Sequence, residues 1–335
     1  MREPSFWRRN GLAAQLLAPA AALYGGIAGR RMRQAGVRAG VPVLCVGNLT
    51  AGGAGKTPTA LALGKLLLAR GVRPAFLTRG YGGSQTGPLM VAPGHRASEV
   101  GDEALLLARL APTVVARDRV TGAVAAVAAG ARVIVMDDGF QNPALDKDVS
   151  LLVIDGALGI GNGRVIPAGP LRAPLAAQLV RASAVLAVGA VSAQTAGLVA
   201  RARSHGLAVL TGHLAPDAAA LDRLRGRPVL AFAGIGHPAK FFATLADNGV
   251  AVKRAVGFPD HHPFTARDAG RLLDLAAREG LALATTEKDM ARLRGDPALD
   301  RLAAATTALP VTMAFDDDAA VRRHVIDRLL GSGTA

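Results

Sequence analysis

The chain's strongest chemical signal is the segment Gly47-Asn48-Leu49-Thr50-Ala51-Gly52-Gly53-Ala54-Gly55-Lys56-Thr57-Pro58. It follows a short apolar run and precedes an Ala/Leu-rich helical window. Glycines placed there let backbone N–H groups close around phosphate oxygens at a helix N-terminus, where the helix dipole favours anions. In such a loop Lys56 reaches the β- and γ-phosphates and the Thr57 hydroxyl holds Mg2+. Thr50 stands where the strict G-x-x-x-x-G-K-[ST] pattern has its first glycine, which loosens the match. Thr50, Ala51, Gly52, Gly53, Ala54, Gly55, Lys56 and Thr57 are therefore the residues expected around the phosphates of a nucleotide. The alternative is a glycine-rich turn that ends in Lys-Thr by chance.

A phosphate loop also needs a carboxylate from a neighbouring strand to place its metal. The run Val133-Ile134-Val135-Met136 ends in Asp137-Asp138-Gly139, at the strand edge where open α/β sheets bind their ligands. Thr57 and Asp137 are the metal ligands expected on this ground. The plainer alternative is a polar turn closing a strand.

These residues need a scaffold of alternating strands and helices, and the chain supplies one. At 335 residues, 50% apolar and 19% charged, it is long and apolar enough for two packed domains, and disorder is excluded. Apolar strands are expected at Val43–Gly47, Pro74–Thr78, Thr113–Ala116, Val133–Asp137, Ser150–Asp155, Ala184–Val188 and Val209–Thr211. Four more are expected at Val229–Ala233, Val250–Arg254, Ala282–Thr285 and Val311–Ala314. Helical windows between them mark βαβ units and a mainly parallel sheet covered on both faces. The charged stretch Asp217–Arg227 reads as a loop and as the domain boundary. The division expected is an N-terminal helical segment over 1–40, a P-loop domain over 41–222 and a smaller α/β domain over 223–335 that closes the cleft.

The net charge of +14 favours an anionic partner, whether nucleic acid, an acidic membrane face or a phosphorylated substrate. Nine phenylalanines, two tyrosines and one tryptophan leave few platforms for stacking bases, so nucleic acid is not expected. The single cysteine, Cys45, allows no internal disulfide and suits a reducing compartment. Residues 1–40 hold seven arginines against Glu3. Between the arginine clusters, Gly11–Gly29 is uncharged, with Leu12, Leu16, Ala20, Leu23 and Ile27 on one helical stripe. A helix lying in the interface of an anionic membrane is the reading that fits flanking arginines best. A core helix, a signal peptide and a true span remain as alternatives.

Eight blocks carry a resemblance. They are residues 47–58, Thr-Arg-Gly-Tyr-Gly-Gly (78–83), Val-Gly-Asp-Glu-Ala (100–104), Asp-Asp-Gly-Phe-Gln (137–141), Gly-Asn-Gly-Arg-Val-Ile-Pro-Ala-Gly-Pro-Leu-Arg-Ala-Pro (161–174), Phe-Ala-Gly-Ile-Gly (232–236), Phe-Pro-Asp-His-His-Pro-Phe (258–264) and Thr-Glu-Lys-Asp (286–289). In this order they resemble the tetraacyldisaccharide 4'-kinases, with Ala104, Ala173 and Lys147 where the family pattern suggests Pro, Glu and Arg. The resemblance implies transfer of the ATP γ-phosphate, with Mg2+, to the 4'-hydroxyl of a tetraacyldisaccharide 1-phosphate in lipid A biosynthesis. It further implies a peripheral enzyme on the cytoplasmic face of the bacterial inner membrane, and a monomer is expected.

It points to Asp102 as the base that takes the hydroxyl proton, supported by His261, with Lys56 and Asp138 completing the catalytic set and Glu103 joining the metal ligands. A carboxylate and an imidazole can hold one another's protonation and orientation. Helix capping by Asp102 and a solvated turn at His261-His262 are the structural alternatives. The pairing would set the reaction between two domains, whose closure excludes water. Arg79, Arg117, Arg172 and His262 are further candidates for gripping phosphate or substrate, since guanidinium forks match phosphate oxygens. A nucleotide-driven switch protein and a basic adaptor are the competing classes; the first leaves Asp102 and His261 without a job, the second leaves Lys56-Thr57 unexplained.

Overall fold

The protein is described from a computed structural model, which covers residues 4–331. Thirteen strands are numbered in chain order: β1 Val43–Gly47, β2 Pro74–Thr78, β3 Leu89–Met90, β4 Thr113–Val115, β5 Val133–Asp137, β6 Val149–Asp155, β7 Ala184–Val188, β8 Ala208–Pro216, β9 Pro228–Ala233, β10 Ala251–Gly257, β11 Ala282–Thr286, β12 Thr306–Leu309 and β13 Val311–Phe315. They form a nine-stranded sheet, β13-β8-β7-β6-β1-β5-β2-β4-β3, and a four-stranded sheet, β10-β9-β11-β12. Pairing is parallel except at the two edges of the large sheet, where β13 and β3 run antiparallel to their neighbours.

The central strands of the large sheet are largely apolar because both their faces are covered. Along β1, Val43 and Cys45 enter one core while Leu44 and Val46 enter the other. On β5, Ile134 and Met136 join the first, Val133 and Val135 the second. The second face is covered by the helix Lys56–Ala69, through Ala60, Leu63 and Leu67. Ala123 and Ala126 of the helix Arg119–Ala128, with Leu198 and Ala202 of Ala193–Ser204, cover the first. The small sheet is likewise sandwiched, with Leu221, Leu224, Phe241 and Leu245 on one face and Leu272, Ala276, Leu293 and Leu302 on the other.

Two expectations are corrected here. The stretch taken as a loop at Asp217–Arg227 contains the helix Ala218–Leu224, capped by the Asp217 carboxylate, which accepts the Ala220 N–H at 2.7 Å. Two turns are too short for periodicity to stand out among the charges, while the cap and buried Ala220, Leu221 and Leu224 fix the helix in place. The division at 223–335 also differs from the path of the chain. β13 returns to pair with β8, and Val321, Val325, Ile326 and Leu329 pack into the core of the large sheet. The small sheet is thus an inserted unit, and its two crossings lie side by side, where the Asp217 N–H donates to the Pro310 carbonyl at 2.9 Å. Strands β3 and β12 were not among those expected.

The N-terminal segment forms a 3-10 helix, Ser5–Arg8, and two α-helices, Leu12–Leu16 and Ala18–Met32, with Pro19 in the first turn of the last. Ala14, Ala21, Gly25, Gly29 and Met32 turn inward. Gly25 and Gly29 face Pro174, to which an added Cβ would stand at an ordinary contact distance of 3.6 Å. The opposite stripe is bare: Leu12, Leu16, Leu23 and Ile27 are 79%, 80%, 70% and 56% exposed. Among the described residues no helix is long and apolar enough to cross a membrane.

Candidate active site

β1 runs into the glycine loop, and the helix Lys56–Ala69 leaves it. Gly52 and Gly55 take φ of 109° and 89°, values at which a Cβ would be strained. The loop is held from outside. Asn48 Nδ2 donates to the Gly52 carbonyl at 2.9 Å, the Ala51 N–H to the Pro170 carbonyl at 2.8 Å and Arg172 Nε to the Thr50 carbonyl at 3.1 Å. Parallel pairing of β1 with β5 sets Val46 opposite Asp137, which brings that carboxylate to the loop's exit.

There the Thr57 hydroxyl donates to Asp137 Oδ2 at 2.9 Å, while the buried Asp137 Oδ1 has no hydrogen-bond partner. Burial pushes the Asp137 carboxyl up to about 7, reinforced by the charges of Glu103 and Asp138 and opposed by Lys56. An unsatisfied buried carboxylate oxygen beside a hydroxyl is costly as it stands. A hard oxygen pair of this kind suits Mg2+, which binds through one or two carboxylates plus phosphate and water oxygens.

Asp138 sits beside it in a left-handed backbone conformation, φ 56°. Arg172 grips it with two bonds, Nη1 to Oδ1 at 2.7 Å and Nη2 to Oδ2 at 3.2 Å. Lys56 Nζ lies 3.8 Å from Oδ2 and donates to the Gly52 carbonyl at 3.4 Å. Burial alone would raise the Asp138 carboxyl, but the charges of Lys56 and Arg172 draw it down to about 2. Asp138 is thereby held ionised between Lys56 and Arg172, the two cations it orients. Arg172 is engaged with that carboxylate and with Thr50.

The second cluster joins the two units. Asp102 opens the helix Asp102–Ala108 behind Gly101, whose φ of 86° turns the chain so tightly that an added Cβ would lie 2.5 Å from the Tyr81 carbonyl. Asp102 is buried; its Oδ1 accepts the Glu103 N–H at 2.8 Å, and its Oδ2 lies 2.7 Å from Arg292 Nε and 3.4 Å from His261 Nδ1. His261 comes from the inserted unit with a φ of 54°, and Tyr81 meets its ring edge-on at 4.7 Å. Burial opposes ionisation of Asp102, but the hydrogen bond to His261 and the charges of Lys288 and Arg292 hold its carboxyl well below the usual carboxylate range. Tyr81, Asp102, His261 and Arg292 line a cavity of about 210 Å3. His262 turns away from it: its Nε2 lies 3.1 Å from Asp268 Oδ2 and its ring stacks on Phe258 at 4.7 Å.

The other expected residues border these clusters. Glu103 is held by Lys288 Nζ at 2.5 Å, and among the described residues no group of three or more acidic, His or Cys side chains gathers as a metal cage. Burial opposes the Lys288 charge, but Glu103 and Asp102 outweigh it and hold the ammonium above its ordinary range. Arg79 and Arg117 are exposed at the C-terminal ends of β2 and β4, next along the crevice. Sequence reasoning missed Arg119, which is buried with Nε unpartnered and feels the charges of Asp137 and Asp138. It also missed Arg292, although an arginine one helical turn after the Glu287-Lys288-Asp289 block is a signal that could have been read.

The structure thus sets out a glycine loop at a helix N-terminus, the Thr57–Asp137 hydroxyl–carboxylate pair and, across the two units, the Asp102–His261 carboxylate–imidazole pair. A family model described as tetraacyldisaccharide-1-P 4'-kinase, LpxK, matches residues 13–330. A tetraacyldisaccharide 4'-kinase of Rhodopseudomonas palustris (strain BisA53) is 58% identical over 98% of this chain and 96% of its own length. One from Methylobacterium sp. (strain 4-46) is 58% identical over 98% of both chains. A crystal structure of LpxK from Aquifex aeolicus, an "apo" form in complex with ATP, superposes with a TM-score of 0.70 at 27% identity, covering 95% of this chain and 99% of that one. A match that runs nearly from end to end and takes in both units shows that the chain belongs to the tetraacyldisaccharide-1-P 4'-kinase family.

Proposed function

We propose that this ATP-dependent tetraacyldisaccharide 4'-kinase of lipid A biosynthesis binds the triphosphate of ATP along Thr50–Thr57 and accepts the sugar proton on the Asp102–His261 pair. The observation that carries this reading is the Asp102–His261 contact across the two units, beside Glu103, whose charge acts on Asp137 at the exit of the phosphate loop. Lys56, now turned toward Asp138 and the Gly52 carbonyl, has the reach to move onto the γ-phosphate. Thr57 and Asp137 would hold Mg2+, which when bound neutralises charge on the phosphate oxygens.

The transfer forms a bond from the 4'-oxygen to the γ-phosphorus and breaks the bond from that phosphorus to the β,γ-bridging oxygen, so that ADP leaves. The 4'-hydroxyl proton passes to Asp102 or, through it, to His261. A sugar hydroxyl is a weak nucleophile at neutral pH, and a positioned acceptor contributes on the order of 10²- to 10⁴-fold. Arg79 and Arg117, exposed along the same edge, are placed to meet anionic groups of the substrate.

The bare stripe Leu12, Leu16, Leu23 and Ile27, flanked by Arg8, Arg9, Arg30, Arg31 and Arg33, supports seating of a monomer on the anionic cytoplasmic face of the bacterial inner membrane. The test is transfer of radiolabelled γ-phosphate to a tetraacyldisaccharide 1-phosphate in detergent, comparing the native chain with Asp102→Asn. Labelled lipid from the native chain and about 10²- to 10⁴-fold slower labelling by the variant is the expected result. Nucleotide turnover with no labelled lipid would favour a switch protein.

A further inference from the structure

We propose that Arg292 is the positioning residue of this reaction, one guanidinium that holds both members of the Asp102–His261 pair; the inference rests on that pair being the proton acceptor. Arg292 lies in the inserted unit, on the helix Glu287–Leu293, and its side chain is only 8% exposed. On one edge its Nε donates to Asp102 Oδ2 at 2.7 Å, the same oxygen that faces His261 Nδ1. On the other edge its Nη1 donates to the Gly234 carbonyl at 2.8 Å, and that carbonyl also accepts the backbone N–H of His261 at 3.0 Å. The carboxylate is thus fixed directly and the imidazole through the backbone that carries it.

The guanidinium is itself anchored. Asp289 Oδ1 lies 3.0 Å from Arg292 Nη1 and accepts the Gly234 N–H at 3.0 Å, while Asp289 Oδ2 accepts the Thr286 hydroxyl at 2.6 Å. Gly234 is crowded from the same side, where an added Cβ would come within 3.1 Å of Arg292 Nη1, Asp289 Oδ1 and His262 Cβ. Lysine could supply the charge but not the planar fork that reaches a carboxylate and a carbonyl together. Asp102 and His261 belong to different units and are 159 residues apart, so Arg292 places the acceptor only when the inserted unit is seated.

The test measures transfer to the tetraacyldisaccharide 1-phosphate by Arg292→Gln, Arg292→Lys and Gly234→Ala, each in the native and in the His261→Ala background. Misplacing a reacting group by about 1 Å costs about 10²-fold, so Arg292→Gln is expected to lower kcat by that amount with the KM for ATP changed less than about threefold. Arg292→Lys is expected to recover less than about a tenth of the loss, because the fork and not the charge is what is missing. In the His261→Ala background Arg292→Gln is expected to cost less than about threefold, since groups that act as a unit are not additive. Gly234→Ala is expected to give the same pattern at smaller size, and it carries the test should Arg292→Gln fail to fold. Equal losses in both backgrounds, or a KM for ATP that climbs in step with the fall in kcat, overturn the proposal. Asp102→Asn separates the two levels: native rates in that variant sink the acceptor itself, whereas an inactive Asp102→Asn with equal Arg292→Gln losses sinks only the positioning role.

Discussion

The two halves of the crevice are built in different ways. The phosphate loop, Asp137 and Asp138 hang from the adjacent parallel strands β1 and β5, and the ladder between those strands sets their spacing. The Asp102–His261 pair has no such ladder. It is assembled where the inserted unit meets the helix Asp102–Ala108, through Arg292 on Asp102, Lys288 on Glu103 and Arg109 on Glu287. A further contact between the units, Lys240 with Asp155, lies at the end of β6. The proposed phosphate site is therefore preformed by the sheet, while the proposed proton acceptor is assembled only when the units are docked. A kinase that must exclude water as a competing acceptor gains from that difference, because nucleotide can be held before the acceptor site is complete.

Variants on the two sides should break this comparison in different ways. Lys56→Ala removes the γ-phosphate contact and is expected to have the largest effect, a loss of transfer of about 10³-fold or more with weakened ATP binding, read by labelled lipid and by nucleotide titration. Turnover within tenfold of the native rate would refute the loop assignment. Asp102→Asn is expected to lower transfer by about 10²- to 10⁴-fold while ATP binds as before. A matching loss of nucleotide affinity would mean that the two sites are not separable.

Lys288→Met leaves Glu103 without its partner at the docked face. It is expected to lower global stability by about 1–2 kcal/mol in a denaturant titration, a discounted figure because the pair is part-exposed. It should also reduce kcat more than ATP affinity; equal loss of both would place Lys288 in the nucleotide site. Leu16→Gln with Leu23→Gln touches neither half. Each exposed leucine seated in a membrane is worth about 1.5–3 kcal/mol, so recovery on anionic vesicles should fall at least about tenfold with thermal stability unchanged. Vesicle binding equal to that of the native chain would remove the membrane reading.

The sequence carried much of this on its surface. Apolar β-branched runs marked eleven of the strands, most plainly in the middle of the large sheet, where strands buried on both faces leave no polar alternation to confuse the pattern. The strand–loop–helix frame of the glycine loop was legible because it is local, with the glycines, Lys56 and Thr57 all between β1 and the helix Lys56–Ala69. Asp137 was legible for the same reason, as an acid closing an apolar strand. The helix Ala218–Leu224 was hidden by its charged residues, and β3, two residues long, had no pattern to find.

What the amino-acid order determined by itself was the set of chemical groups and the local frames that carry them. Tertiary structure alone decided which groups meet. It returned β13 to the large sheet, so that the smaller unit became an insertion, and it turned His261 toward Asp102 while His262 packed on Phe258. It tied Asp138 to Arg172, buried Arg119 beside the acids and set Arg292 between the two units. The physical reason is separation along the chain. Short-range propensities and spacing act over a few residues, whereas a contact between residues 102 and 261 exists only once packing has determined where both units lie.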